Sequence, residues 1–193
     1  DSDEELEIIF GGYSNNVQNL FALNLDGSNA FVNTIDMIEK NKSGFALSDF
    51  NNNGKDDIVY GTDSSNLYLV YDDGSLANGF PFSADGKLRF SPIVVDNGGY
   101  KTIIIPSDNN IYGILGDGSL KFNIECDDDI STSVSVLDIY NDIVLFVGFD
   151  SGLIMGFDLN GEMIESYSFD IGSDVVSSIV FSDIDNNLTP EII

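Results

Sequence analysis

The chain has no histidine, no tryptophan, one cysteine and only seven basic residues among 193. Each scarcity excludes something. Without histidine there is no Cys–His nucleophile pair, and zinc would lack its usual nitrogen donors. A single cysteine, Cys126, forbids an intrachain disulfide. Its neighbours Glu125, Asp127, Asp128 and Asp129 oppose a thiolate, so the expected role is a small half-buried side chain. Seven basic against 33 acidic residues give a net charge of −26. Nucleic acid and anionic lipid are therefore excluded as expected partners, because both need Lys and Arg to neutralise phosphate. The charge fits divalent cations, and equally a salt-adapted surface. No apolar run is long enough for a membrane span. The sequence opens at Asp1 with no initiator Met or signal-peptide pattern and stops at Ile193 inside an apolar run, so the expectation is a segment of a longer chain.

Against these absences stand 42% hydrophobic residues and 19 glycines, enough for a core with many turns. Four stretches share one grammar: EIIFGGYSNNVQNLFALNLDGS from Glu7, DIVYGTDSSNLYLVYDDGS from Asp57, TIIIPSDNNIYGILGDGS from Thr102 and IVLFVGFDSGLIMGFDLNGE from Ile143. Each has an apolar run, a small polar turn, a second apolar run and a D-G or N-G turn. The turn glycines Gly27, Gly74, Gly118 and Gly161 recur every forty-odd residues. The runs are β-branched and aromatic, as strands prefer, and two shorter runs follow in each unit. Phe80–Ser83 and Phe90–Val95 are such runs in the second unit, Ser166–Phe169 and Val175–Phe181 in the fourth. No stretch carries a sustained helical period with caps.

The expected fold is all-β: a β-propeller with four four-stranded blades of about 43–50 residues. The expected blades are 7–56, 57–101, 102–142 and 143–190, with 191–193 beginning a fifth. The repeated phase of the two ends favours an arc of a larger propeller of roughly six to eight blades over a closed four-bladed ring.

One motif carries chemistry. DFNNNGKDD, residues 49–57, offers oxygen at alternating positions: Asp49, Asn51 and Asn53 by side chain, Lys55 by its backbone carbonyl, Asp57 by carboxylate. Calcium takes six to eight oxygens, and Gly54 permits the sharp turn around an ion. The loop opens as an EF-hand loop does, but its twelfth position is Tyr60 where a bidentate Glu is needed. The plain alternative is an Asx-rich turn with no metal. A second copy offers Asp183, Asp185, Asn187, Thr189 (carbonyl) and Glu191, with Leu188 in place of the glycine and Pro190 stiffening the loop. A third, truncated copy is Asp1, Asp3, Glu5 (carbonyl) and Glu7. The stretches Asp96–Lys101 and Asp138–Asp142 are too short and are expected to be plain turns. Asp127–Asp129 lack ligand spacing and are expected to form a solvated acidic loop.

The nine-residue D-x-N-x-N-G-x-x-D loop running into a strand resembles the FG-GAP/VCBS family of β-propeller repeats, whose blades also occur in integrin α-subunit heads. DGSLANGFPF, Asp73–Phe82, resembles a stretch of secreted bacterial proteins of this type. The resemblance implies Ca²⁺ held by the first, third, fifth and ninth side chains and the seventh carbonyl. It also implies an extracellular or cell-surface location.

The expected function is a non-catalytic, calcium-braced module that binds a protein or glycan, mediates adhesion or acts as scaffold. Its expected partners include the remaining blades or fused domains of a longer chain. The alternative is the propeller portion of a secreted polysaccharide lyase or hydrolase whose catalytic residues lie elsewhere. Lysine is rare and the only arginine is Arg89, and the G-x-G-x-x-G, P-loop and G-x-S-x-G patterns are absent, so the expected chain is not an enzyme.

Overall fold

The computed structural model describes residues 6–31, 37–139 and 142–193. Sixteen strands, all paired antiparallel, make five sheets among these residues. β1 (Ile8–Gly11) pairs with β2 (Leu20–Leu23). β3 (Phe45–Ser48), β4 (Asp57–Gly61), β5 (Asn66–Val70) and β6 (Phe82–Ser83) form an up-and-down sheet in chain order. β7 (Ile93–Asp96), β8 (Lys101–Pro106), β9 (Asn110–Leu115) and β10 (Leu120–Glu125) repeat it. So do β11 (Ser135–Ile139), β12 (Asp142–Gly148), β13 (Leu153–Phe157) and β14 (Met163–Asp170). Finally β15 (Phe181–Ser182) pairs with β16 (Glu191–Ile192).

The sheets stack face to face, and the period-two alternation of the strands builds the contacts between them. On β4, Ile58 and Tyr60 pack with Leu20 and Met37 beside the first sheet, while Val59 packs with Ile103 and Ile105 of the third. On β8, Ile104 points the other way, to Leu145, Val147 and Phe149. On β12, Val144 and Phe146 join Ile179, Phe181 and Ile192 at the last sheet. Four apolar clusters thus link five consecutive sheets. Because both faces of the middle strands are covered, β4, β8 and β9 are almost wholly buried and read as continuous apolar runs. Each large side chain so buried contributes about 1.5–3 kcal/mol.

The sheets group the strands one step away from the repeat boundaries 7–56, 57–101, 102–142 and 143–190. Phe45–Ser48 pairs with β4, and Ile93–Asp96 with β8, so each four-stranded sheet starts before the strong apolar run that opens the sequence repeat. Of Phe90–Val95, read as the last strand of one unit, the second half from Ile93 is therefore in the first strand of the next. Val175–Phe181 is a connector that becomes strand only at Phe181. Three sheets have four strands, and the two outer sheets have two each among the described residues.

This grouping fixes two faces. The loops between first and second strands, and the D-G turns between third and fourth, lie at one end of every sheet. The turns between second and third strands, and the connectors to the next sheet, lie at the other.

Candidate metal centre

Residues 49–57 join β3 to β4 inside one sheet, not between two blades. The loop folds on its own side chains. The two carboxylate oxygens of Asp49 accept from the backbone N–H groups of Asn53 (3.1 Å) and Gly54 (2.8 Å). Asn51 Oδ1 also accepts from Asn53 N (3.0 Å), and Asn53 Oδ1 from Lys55 N (2.8 Å). Asp57, fully buried at the start of β4, accepts from Phe50 N (2.8 Å), Asp72 N (3.1 Å) and Asn51 Nδ2 (3.4 Å). Burial pushes its carboxyl above the ordinary value of 3.8; the amide donors oppose this, and the nearby Asp72 carboxylate adds to it. Asn52 and Gly54 take the left-handed conformation that lets the chain wrap back (φ 59° and 86°).

Residues 183–191 join β15 to β16 and repeat this framework. Asp183 accepts from Asn187 N (3.0 Å) and Leu188 N (2.9 Å), Asp185 from Asn187 N (3.1 Å) and Asn187 Oδ1 from Thr189 N (2.8 Å). Glu191 accepts from Ile184 N (2.7 Å), as Asp57 does from Phe50. Asn186 and Leu188 hold the left-handed positions of Asn52 and Gly54 (φ 60° and 71°). Strand register agrees as well: Ser48 faces Asp57, and Ser182 faces Glu191.

The two loops differ in charge. In the second, one carboxylate oxygen each from Asp183, Asp185 and Glu191 lie within 4.8 Å of one another. At its ligand positions the first supplies only two carboxylates, and a cation stands beside it: Lys101 on β8 donates to the Asp49 carbonyl and lies over the Phe50 ring. The motif nearer the sequence ideal therefore has the weaker convergence of negative charge. In both loops the donors are carboxylate, amide and carbonyl oxygens, a set suited to a hard cation such as Ca²⁺. Lone pairs remain free, because an ionised carboxylate offers about four acceptor sites.

Sequence reasoning missed Asp72. It accepts from Asn53 Nδ2 (2.8 Å) and pairs with Lys55 Nζ (3.2 Å), which ties the D-G turn to the loop. The available signal was topological, since an up-and-down sheet places that turn and the loop at the same end.

Of the third copy, Asp1, Asp3 and Glu5 lie outside the described residues; Glu7 directly precedes β1 and is half-buried. Asp96–Lys101 closes the β7–β8 hairpin, with Gly98 N donating to Asp96 (2.9 Å). Asp138 and Asp142 lie on β11 and β12, and the residues between them are outside the described set. In the 127–129 stretch, Asp128 accepts from the backbone of Asp129 (2.8 Å) and Ser151 (3.2 Å), capping a turn. The Cys126 thiol is pushed up to about 11 by burial, then by Asp127 and Asp128.

No family model and no curated protein matches the chain. Solved structures do. BamB from Moraxella catarrhalis superposes with a TM-score of 0.66 at 12% identity, covering 95% of this chain and 53% of that one. The computationally designed Ika8 protein gives 0.64 at 14% identity, covering 93% and 51%. BBS1N, solved in complex with ARL6DN, gives 0.61 at 10% identity, covering 97% and 56%. BamB and BBS1N are β-propellers. The fold is that of a β-propeller. The chain spans about half the length of these structures, and each successive sheet corresponds to a blade. At such identity the likeness concerns the fold alone.

Proposed function

We propose that the chain is a non-catalytic, calcium-braced β-propeller module of a secreted or cell-surface protein, which binds a protein or glycan ligand or acts as scaffold. The observation that supports this most is the shared framework of the 49–57 and 183–191 loops. Two stretches of different sequence hold their acidic and amide oxygens by the same backbone hydrogen bonds, at the same register of two sheets. Each places its last carboxylate at the start of a blade's second strand, where an ion would tie the loop to the sheet. The resemblance to FG-GAP/VCBS repeats supplies the ion and the extracellular setting, where calcium is abundant enough to fill modest sites.

Calorimetric titration with Ca²⁺ tests the reading. The expected result is two binding events, one lost in Asp49→Ala/Asp57→Ala and the other in Asp183→Asn/Asp185→Asn. Asp185 is exposed and Asp183 half-buried, and asparagine keeps a side-chain oxygen to accept from the loop amides, so that variant keeps its fold. Removing calcium with EDTA should lower the melting midpoint, because an ion at a hundred times its Kd adds about 2.7 kcal/mol to the native state. Equal heats from all three proteins, or no heat, overturn the assignment.

A further inference from the structure

The opposite face of the propeller gathers most of the chain's scarce positive charge. Four of the seven basic residues, Lys40, Lys42, Lys87 and Arg89, converge there around Tyr13 and Asp63. The ammonium groups of Lys40 and Lys42 lie 4.9 and 4.8 Å from the centre of the Tyr13 ring. The Tyr13 hydroxyl donates to one oxygen of Asp63, and Arg89 Nε donates to the other at 2.9 Å. Lys87 adds positive charge at the same carboxylate.

These side chains come from four segments far apart in sequence, and the backbone holds the segments together. Asn41 N donates to Gly12 O (3.0 Å), Asp63 N to Lys40 O (3.0 Å) and Leu88 N to Thr62 O (3.1 Å). Leu88 is fully buried beneath the patch, so its neighbours Lys87 and Arg89 ride on a fixed anchor. Above the frame the groups are open: Tyr13 is 45% exposed, and Lys42, Lys87 and Arg89 are exposed too. Among the described residues, Arg89–Asp63 is the patch's close ion pair, and Lys87 acts on the same carboxylate from farther away.

We infer that this patch binds an acidic oligosaccharide, a glycan carrying carboxylate groups of the uronate type. The inference names the ligand of the binding module proposed above and rests on that reading. In a molecule of net charge −26, four cations gathered about Asp63, with Asp108 also near Arg89, are a local concentration of positive charge. Densely charged polyanions remain repelled by the rest of the surface. A uronate chain spaces its charges and carries hydroxyl groups between them. The patch matches that mixture. Lysine ammonium groups act as adaptable point charges for single carboxylates, and Arg89 presents its remaining guanidinium donors. Asp63 accepts from sugar hydroxyls, and the Tyr13 edge gives apolar contact. The site also lies at the end of the blades away from the calcium loops, so brace and ligand do not compete for the same surface.

A galacturonate trimer, titrated into the whole chain in calcium-free buffer, tests this; calcium is omitted because uronates themselves bind it. A neutral maltotriose and a glutamate tripeptide serve as comparison ligands. Binding of the galacturonate trimer alone is expected, weakening with added salt. Lys40→Gln/Lys42→Gln and Lys87→Gln/Arg89→Gln should each weaken it by about tenfold or more, through lost charge-assisted contacts, while melting midpoints and calcium heats stay unchanged. No binding of the trimer, or equal affinity in the variants, overturns the inference; calcium heats on the same proteins then report separately on the brace. Equal binding of the glutamate tripeptide overturns the assignment to glycan.

Discussion

At the scale of single residues, Asp57 carries the most chemistry. Its carboxylate is buried, meets two backbone amides and begins a strand whose every residue is buried. Burial raises its folded pKa above the unfolded value, so without an ion its contribution to stability is complete below the unfolded value and is lost as pH rises through the folded one. Asp57→Asn stays neutral at every pH. In calcium-free buffer the original protein should therefore gain stability relative to the variant as pH falls through that window. Denaturant melts across the acid range measure the difference. Asp63, held low chiefly by its hydrogen bond from Arg89, works in the opposite sense but is common to both proteins and cancels. Saturating calcium should remove the gain, because an ion favours the charged form. Parallel curves in calcium-free buffer would show that Asp57 titrates alike in both states. The ligand pattern was legible in sequence because its spacing is local. Asp72 was not, because its place beside Asn53 depends on strand pairing 19 residues away.

At the scale of elements, the two loops set an experiment already half performed by the sequence. Leu188 occupies the left-handed position that Gly54 fills in the other loop, and its side chain is 85% exposed, so replacing it loses little packing. Leu188→Gly should stabilise by about 0.5–1 kcal/mol, the relief of left-handed strain less the added freedom of the unfolded chain. The reciprocal Gly54→Ala meets no atom within 4 Å and should cost about 1 kcal/mol through φ alone. Gly79→Ala is different, because a Cβ there would stand 1.9 Å from the Asp117 carbonyl of the next blade's turn. A loss of about 2–4 kcal/mol is expected. Denaturant midpoints of the three variants check the order. Similar losses at Gly54 and Gly79 would refute the tight contact between turns. The strands themselves were legible where both faces are covered, as in DIVYG and TIIIP. The first strand of each blade was assigned to the wrong neighbour. Phe45–Ser48 and Ile93–Asp96 are four residues long and mostly half-buried or exposed, so the stronger second strand appeared to open the repeat. A period gives the length of a unit; only pairing gives its phase.

At the scale of the whole molecule, a net charge of −26 makes self-repulsion part of the stability. Sodium chloride should raise the melting midpoint as the screening length shrinks toward about 8 Å at physiological ionic strength. Calcium at matched ionic strength should add a further, saturable rise. A midpoint indifferent to sodium chloride would show the carboxylates to be spaced too widely to repel. The propeller architecture was readable from the repeat because each blade buries its faces only against its neighbours, which forces the same apolar grammar on every unit. The basic patch left no such trace, since it is assembled from two connectors, a turn and a loop that share no motif. The two candidate ion loops belong to the second and fifth sheets, with two complete blades between them. Each is framed by its own amides, and among the described residues no hydrogen bond joins one loop to the other. Their occupancies should therefore add as independent hyperbolas, so that the molecule follows the ambient ion concentration by degrees, without a threshold.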